Sequence, residues 1–200
     1  MSGKGAFICV EGLDGSGKTT QARILAKRLN KSYSAVYTAE PSHGKTGAFI
    51  REGCLYEKQR LPTEVEALLF AADRIEHVEA EIKPALAEGK VVVCDRYVYS
   101  SLAYQGSAGL DLKWIKKINS YALKPDYAVF IDVPPERVLE RLQRRKSVME
   151  TLEIQRKVRE VYLRFVDRGE LVLIDGDQPK DVVADDLYSK VLAFLKDTNS

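Results

Sequence analysis

The sequence predicts a three-layer α/β/α fold around a five-stranded parallel sheet, and three observations predict it. Five short apolar runs alternate with longer amphipathic segments along the 200 residues. Most of those runs are continuously apolar rather than alternating, as expected of strands covered on both faces. The first run leads through a glycine-rich loop into an amphipathic segment, the order of a right-handed β-α-β unit.

In chain order, Ala6–Glu11 reads as the first strand and Lys18–Asn30 as a helix behind the loop. Ala35–Glu40 is the second strand. Pro41–Pro62 mixes Gly44, Gly47 and Gly53 with charge, which predicts a mobile flap holding a short helix. Thr63–Glu88 keeps helical periodicity, and Lys90–Cys94 is the third strand. Leu112–Tyr121 is a helix and Tyr127–Val133 a strand. Glu136–Arg145 and Thr151–Arg168 are helices, Leu171–Asp175 is the last strand and Asp181–Lys196 the last helix. No repeat, low-complexity tract or linker interrupts the pattern, so residues 1–200 read as one domain.

Apolar residues make up 45% and charged residues 30%, which excludes a collagen-like, disordered or mucin-like chain. The longest apolar run, Ala67 to Ala72, falls far short of the roughly 18 residues that cross a bilayer. Thirty-one basic residues against 29 acidic give +2, too even to indicate a nucleic-acid or membrane-surface binder. Cys9, Cys54 and Cys94 match no disulfide framework or metal spacing, and two of them sit in apolar runs as small core residues. Met1-Ser2-Gly3-Lys4 leads straight into a strand rather than through a secretory signal, so a cytoplasmic location is expected.

Gly12-Leu13-Asp14-Gly15-Ser16-Gly17-Lys18-Thr19 matches G-x-x-x-x-G-K-[ST], with a strand before it and a helix after it. The glycines free the main chain to turn successive N–H groups onto phosphate oxygens, and the helix N-terminus adds partial positive charge. Lys18 is placed to reach the β- and γ-phosphates and the Thr19 hydroxyl to ligate Mg²⁺. This pattern predicts binding of a nucleoside triphosphate. A guanine-reading N-K-x-D is absent at Asn30-Lys31-Ser32-Tyr33, and a motor ATPase is normally larger, which leaves a small phosphotransferase.

Asp95-Arg96 follows the buried run Val91-Val92-Val93-Cys94, where a parallel sheet presents ligands at strand carboxyl ends. Glu11 and Glu40 emerge at the same edge. Asp95 is suited to hold Mg²⁺ or accept a proton, and Arg96 to grip a phosphate with two donors. The alternative is a plain surface ion pair. Phe70 and Arg74, four apart, share a helix face that suits a nucleobase and its phosphate. Taken singly, Phe70 reads as core and Arg74 as solvated.

These residues resemble the thymidylate kinase family, P-loop nucleoside monophosphate kinases that phosphorylate dTMP. The resemblance rests on Glu11 through Gln21, on Glu40-Pro41 with Gly47-Ala48-Phe49-Ile50-Arg51, and on Leu68 through Arg74. It continues in Asp95-Arg96-Tyr97-Val98-Tyr99-Ser100-Ser101-Leu102-Ala103-Tyr104-Gln105-Gly106 and in Val158-Arg159-Glu160-Val161-Tyr162. The segments keep the family's order from residue 6 to around residue 175. The Asp-Arg-Tyr to Tyr-Gln string is the selective one, since the P-loop is common to many families.

The resemblance implies transfer of the ATP γ-phosphoryl group to dTMP, with Mg²⁺, in a cytoplasmic homodimer without nucleic-acid or membrane partners. ATP would lie on Gly12, Leu13, Asp14, Gly15, Ser16, Gly17, Lys18, Thr19 and Thr20, and Mg²⁺ on Thr19 and Asp95. Arg51 and Arg96 would hold the dTMP phosphate, Phe70 would stack on thymine, and Arg74 would touch base and phosphate. Asp14 would meet the 3′-hydroxyl, Tyr104 would fill the space of a ribose 2′-hydroxyl, and Ser101 and Gln105 would lie near the thymine edge. The flanking region 41–88 becomes the substrate side and 141–151 a lid over ATP. Between Glu136 and Arg168 stand ten basic and six acidic residues. Because the loop carries Gly15, the resemblance implies a catalytic arginine in the lid, the role falling to Arg141, Arg144, Arg145 or Lys146, beside Lys18, Asp95 and Arg96. Such an arginine contributes on the order of 10³-fold in rate.

Three features depart from the family pattern. Lys146-Ser147-Val148-Met149-Glu150 makes a short lid lacking the usual Asp-Arg pair, and Ala39 replaces a frequent arginine before Glu-Pro. They keep a kinase for dUMP or a broader set of deoxynucleotides as an alternative. A non-catalytic nucleotide-binding module is the remaining one, and Asp95, Arg96 and the lid arginines speak against it.

Overall fold

β1 (Ala6–Gly12) runs through the centre of the computed structural model with every residue buried. The structure describes residues 5–53, 61–141 and 151–198. Around β1 lie β2 (Ala35–Ala39), β3 (Val91–Asp95), β4 (Tyr127–Asp132) and β5 (Val172–Asp175). Their order is β2-β3-β1-β4-β5 with every pairing parallel, so the expected sheet is present. Cys9 lies opposite Cys94 across β1 and β3, and both thiols are buried and free.

One helical layer is α1 (Lys18–Leu29), lying on β1, β2 and β3 and against the C-terminal helix α9 (Lys180–Asp197). The flap holds the short helix α2 (Lys45–Gly53), packed on α3 (Thr63–His77). The predicted helix 63–88 is a composite: α3, a π-helical turn over Val78–Ile82, then α4 (Lys83–Ala87). Periodicity failed to anticipate α5 (Val98–Ser107), which opens directly after the Asp95-Arg96 strand end. The helix α6 (Leu112–Ile118) is shorter than the predicted 112–121, because Asn119 already closes it. After β4 come α7 (Pro135–Arg141) and α8 (Leu152–Asp167), the latter capped by the Thr151 side chain accepting from the Ile154 N–H.

The second layer is α5 against α8, fixed to the sheet by aromatic pairs. Tyr97 meets Phe7 edge-on at 4.9 Å and Tyr162 stacks on Phe130 at 4.6 Å. The chain leaves β1 toward β2 and β3 on one side and toward β4 and β5 on the other. A crevice forms beyond the carboxyl ends of the strands where order reverses. No helix among the described residues is long and apolar enough to cross a membrane.

Candidate active site

The loop from Gly12 to Thr19 crosses that crevice. A side chain at Gly12 would press within 2.5 Å of Ser16 Oγ and 3.1 Å of the Ile131 carbonyl, so glycine lets the loop lie against β4 without displacing either. Gly17 has φ +88° and forms the N-cap of α1 without any side-chain cap. No acidic residue occupies the first turn, which leaves the helix N–H groups and its positive end open to an anion. Lys18 is buried beneath the loop, with Nζ donating to the Leu13 carbonyl at 3.2 Å and lying 3.5 Å from the Asp14 carboxylate.

Asp95 and Arg96 do not pair with each other, which answers the surface-pair alternative. Thr19 Oγ1 donates to Asp95 Oδ2 at 2.5 Å, while buried Asp95 Oδ1 has no hydrogen-bond partner. Arg96 turns toward the loop, where Nη2 pairs with Asp14 and Nη1 donates to Ser100 Oγ at 3.0 Å. Its guanidinium lies over the Tyr104 ring, 5.1 Å from the centroid. The Tyr104 hydroxyl accepts from the Asp14 N–H at 3.0 Å and donates to Asp14 Oδ2 at 3.1 Å. Arg96 has φ +71°, an unusual conformation for a side chain of its size.

Charge balance in this cluster follows from burial and proximity. Burial raises the Asp14 carboxyl, but Arg96 and then Lys18 outweigh it and hold it down at about 2. Burial lowers Lys18, reinforced by the Arg96 charge. Burial also works against the Arg96 charge, yet the Asp14 carboxylate raises its pKa well above the usual arginine value. Asp14 and Arg96 are thus held ionised as a pair, while burial and Arg96 both work against the charge on Lys18.

Arg74 forms a second cluster two strands away. It is not solvated: it is fully buried, with Nη2 donating to Glu40 Oε2 at 2.6 Å and to Ser101 Oγ at 3.2 Å. Nη1 donates to Asn119 Oδ1, the ring of Tyr97 lies 5.1 Å away, and Nε has no partner. Glu40 also meets His77 Nδ1 at 3.3 Å, and His77 Nε2 meets Thr38 Oγ1 at 2.6 Å. Phe70 is half-buried one turn before Arg74, and buried Gln105 leaves Oε1 without a partner. Arg51 donates to the Pro41 and Ser42 carbonyls. That loop is tied to α3 by Asp73, which accepts from Ser42 N–H at 2.9 Å and Ser42 Oγ at 2.6 Å.

On the far side of the loop opens a cavity of about 270 Å³ lined by Gly17, Thr20, Gln21, Arg141, Gly176 and Gln178 among others. Arg141 is exposed there and donates to Asp177 Oδ1 at 3.2 Å. Arg144, Arg145 and most of the segment 141–151 lie outside the described residues, as does part of the region 41–88.

The structure thus brings Asp14, Lys18, Thr19, Asp95, Arg96 and Tyr104 into one cluster, and Arg74 and Ser101 into its neighbour. It also assigns partners that spacing gave no means of finding: Asn119 and His77 come from segments remote in sequence from the residues they hold. Glu11 and Glu40 were visible as acids at strand ends and within the family strings, but without their partners.

A family profile described as Thymidylate kinase matches residues 10–187. A protein of Pyrococcus horikoshii named "Probable thymidylate kinase" is 44% identical, over 96% of this chain and 97% of its own. Its namesake in Pyrococcus abyssi is 43% identical over 94% and 96%. That of Methanocaldococcus jannaschii is 42% identical over 95% of each.

Proposed function

The chain belongs to the thymidylate kinase family, and from that premise we propose that it moves the γ-phosphoryl group of ATP to dTMP, giving ADP and dTDP. One observation carries the reading: the phosphate-binding loop and the Arg96 guanidinium converge on Asp14 at the ends of adjacent strands. That is where two nucleotides would meet head to head. ATP would enter with its phosphates on the α1 N-terminus and Lys18, and its base toward the cavity beside Arg141 and Gln178.

The acceptor would lie across Tyr104 between the two clusters, with its phosphate on Arg96 and Arg51. Phe70, Arg74, Ser101 and Gln105 would line the thymine side, a reading supported by the unpartnered Arg74 Nε and Gln105 Oε1, which suit polar base edges. Asp14 would meet the 3′-hydroxyl, and the ring of Tyr104 would occupy the room a 2′-hydroxyl needs. Arg141, with Arg144 and Arg145 beyond it, would offset charge on the transferred group. The residues position two mutually repelling anions and exclude water; the chain itself forms no covalent bond to either.

Thr19 and Asp95 fit Mg²⁺. Asp95 Oδ1 is buried without a partner beside the Thr19 hydroxyl, and no cluster of three or more metal-binding side chains occurs among the described residues. A hard cation with few protein ligands takes its remaining oxygens from phosphate and water. Bound there, the ion would neutralise developing phosphate charge.

A homodimer and a cytoplasmic location complete the reading. Val65, Leu68 and Ile75 lie exposed on one face of α3, with Phe49 of α2 also exposed. Such an apolar stripe suits a second copy of the same helix face. Light scattering on the purified chain gives twice the monomer mass if this holds. For the activity, ADP release with ATP–Mg²⁺ is measured against dTMP, dUMP, dCMP, dGMP and AMP. Preferred turnover of dTMP supports the assignment; preference for another monophosphate, or no turnover, overturns it.

A further inference from the structure

Glu11 is the next-to-last residue of β1, just before the phosphate loop opens at Gly12, and is wholly buried, yet four hydrogen bonds converge on its carboxylate. Oε1 accepts from the Tyr97 N–H at 2.9 Å and the Ser100 N–H at 3.3 Å. Oε2 accepts from Ser100 Oγ at 2.6 Å and the Tyr162 hydroxyl at 3.0 Å. These donors open α5 or project from α8, so a residue on β1 caps a helix that begins far downstream. All four are neutral. A carboxyl group that accepts at both oxygens meets these four donors, where an amide in the same space offers a single acceptor oxygen. An acid so completely enclosed calls for a reason beyond packing.

Arg96 supplies one. It is the only non-glycine residue with positive φ among the described residues, and such a conformation persists only when its surroundings impose it. Glu11 grips the residue that follows, through the Tyr97 N–H, and the Cys94 thiol donates to the Arg96 carbonyl at 3.0 Å. The guanidinium is held from the same carboxylate by one intermediary. Ser100 Oγ has a single proton, which goes to Glu11, so its lone pairs are left for Arg96 Nη1 at 3.0 Å. Main chain and side chain of Arg96 are thus both referred to Glu11.

We propose that Glu11 is the positioning residue of the acceptor-phosphate grip, setting Arg96 through the Ser100 hydroxyl and the Tyr97 N–H. The proposal rests on the reading of Arg96 as a ligand of the dTMP phosphate. Glu11 makes no contact with either nucleotide in this account; it acts only through its two intermediaries.

The test is calorimetric titration of the full chain with dTMP and, separately, with ATP, in wild type, Glu11→Gln, Ser100→Ala and Arg96→Gln. Glu11→Gln and Ser100→Ala weaken dTMP binding by about tenfold or more, the scale of a hydrogen bond to a charged group, and leave ATP binding within about twofold. Added to Arg96→Gln, Glu11→Gln causes no more than about a twofold further loss, because both act on one group. If Glu11→Gln does not fold, Ser100→Ala carries the test, since it removes the hydroxyl that links Glu11 to the guanidinium and leaves the carboxylate and its main-chain donors in place. Equal loss of ATP and dTMP affinity would mean a purely structural role and overturn the proposal. So would unchanged dTMP affinity in Ser100→Ala and Glu11→Gln while Arg96→Gln loses it. Unchanged affinity in Arg96→Gln overturns the reading of Arg96 itself, and the proposal with it.

Discussion

Asp14 and Arg96 stand 82 positions apart in the chain and meet as an ion pair between the phosphate loop and the end of β3. The pair joins the element that would hold ATP to the one that would hold dTMP. Asp14→Asn keeps the shape and removes the charge, and kcat/KM for dTMP is expected to fall by about 10-fold to 100-fold. Because the carboxyl is held at about 2, it stays ionised throughout the assay range. A kcat/KM profile from pH 5 to 9 should therefore show no limb that disappears on Asp14→Asn.

Lys18→Ala removes the buried ammonium under the loop. Turnover is expected to drop by about 10²-fold or more, as for loss of one preorganised charge at a transferring group. Affinity for dTMP measured without ATP should stay near the wild-type value. Near-normal turnover in that variant contradicts the site.

Asp95→Asn should leave folding intact and raise the Mg²⁺ concentration needed for half-maximal turnover by about tenfold or more. Chelation of Mg²⁺ should abolish turnover of the wild type, and addition of the ion should restore it. An Mg²⁺ requirement that is identical in both proteins would remove Asp95 from the metal site.

Arg74 and Glu40 form an ion pair with both side chains at most 3% exposed. Removing one partner strands the other in a medium that solvates it poorly. Arg74→Met is expected to lower the unfolding free energy by about 3–5 kcal/mol. Combining it with Glu40→Gln should recover part of that loss, read in the midpoint of urea denaturation.

Glu11 has a folded-state carboxyl raised from 4.5 to about 7, with burial outweighing its hydrogen bonds. In the unfolded chain the group releases its proton near 4.5, while the native state retains it until about 7. The native state then binds more protons in that window, so this residue's contribution to stability declines as pH rises through it. The full effect is on the order of 3 kcal/mol. Unfolding free energies of wild type and Glu11→Gln at pH 5 and pH 8 check the sign: the wild type should lose more on going to pH 8.

The strands were legible because burial on both faces writes itself as unbroken apolar runs, and their ends agree within a residue or two with those seen. The phosphate loop was equally plain, since its glycines answer a local demand of the backbone. α5 was not. Val98, Tyr99 and Gly106 carry no helical periodicity, and the helix is started by Glu11, 86 residues away from Tyr97. Burial of Arg74 was likewise hidden, because Glu40 and Asn119 approach it from separate segments. The π-helical turn after His77 leaves no trace in the spacing of apolar residues. Local chemistry can be read from neighbours in sequence; partnership across the sheet cannot.

β1 and β3 are adjacent, with Val10 opposite Asp95 in the ladder. The two groups proposed to grip the phosphates from either side, Lys18 and the Arg96 guanidinium, follow the tips of these two strands. Their spacing is therefore a lattice constant of the sheet. Lengthening or shortening either strand by one residue would move one grip off the line of transfer.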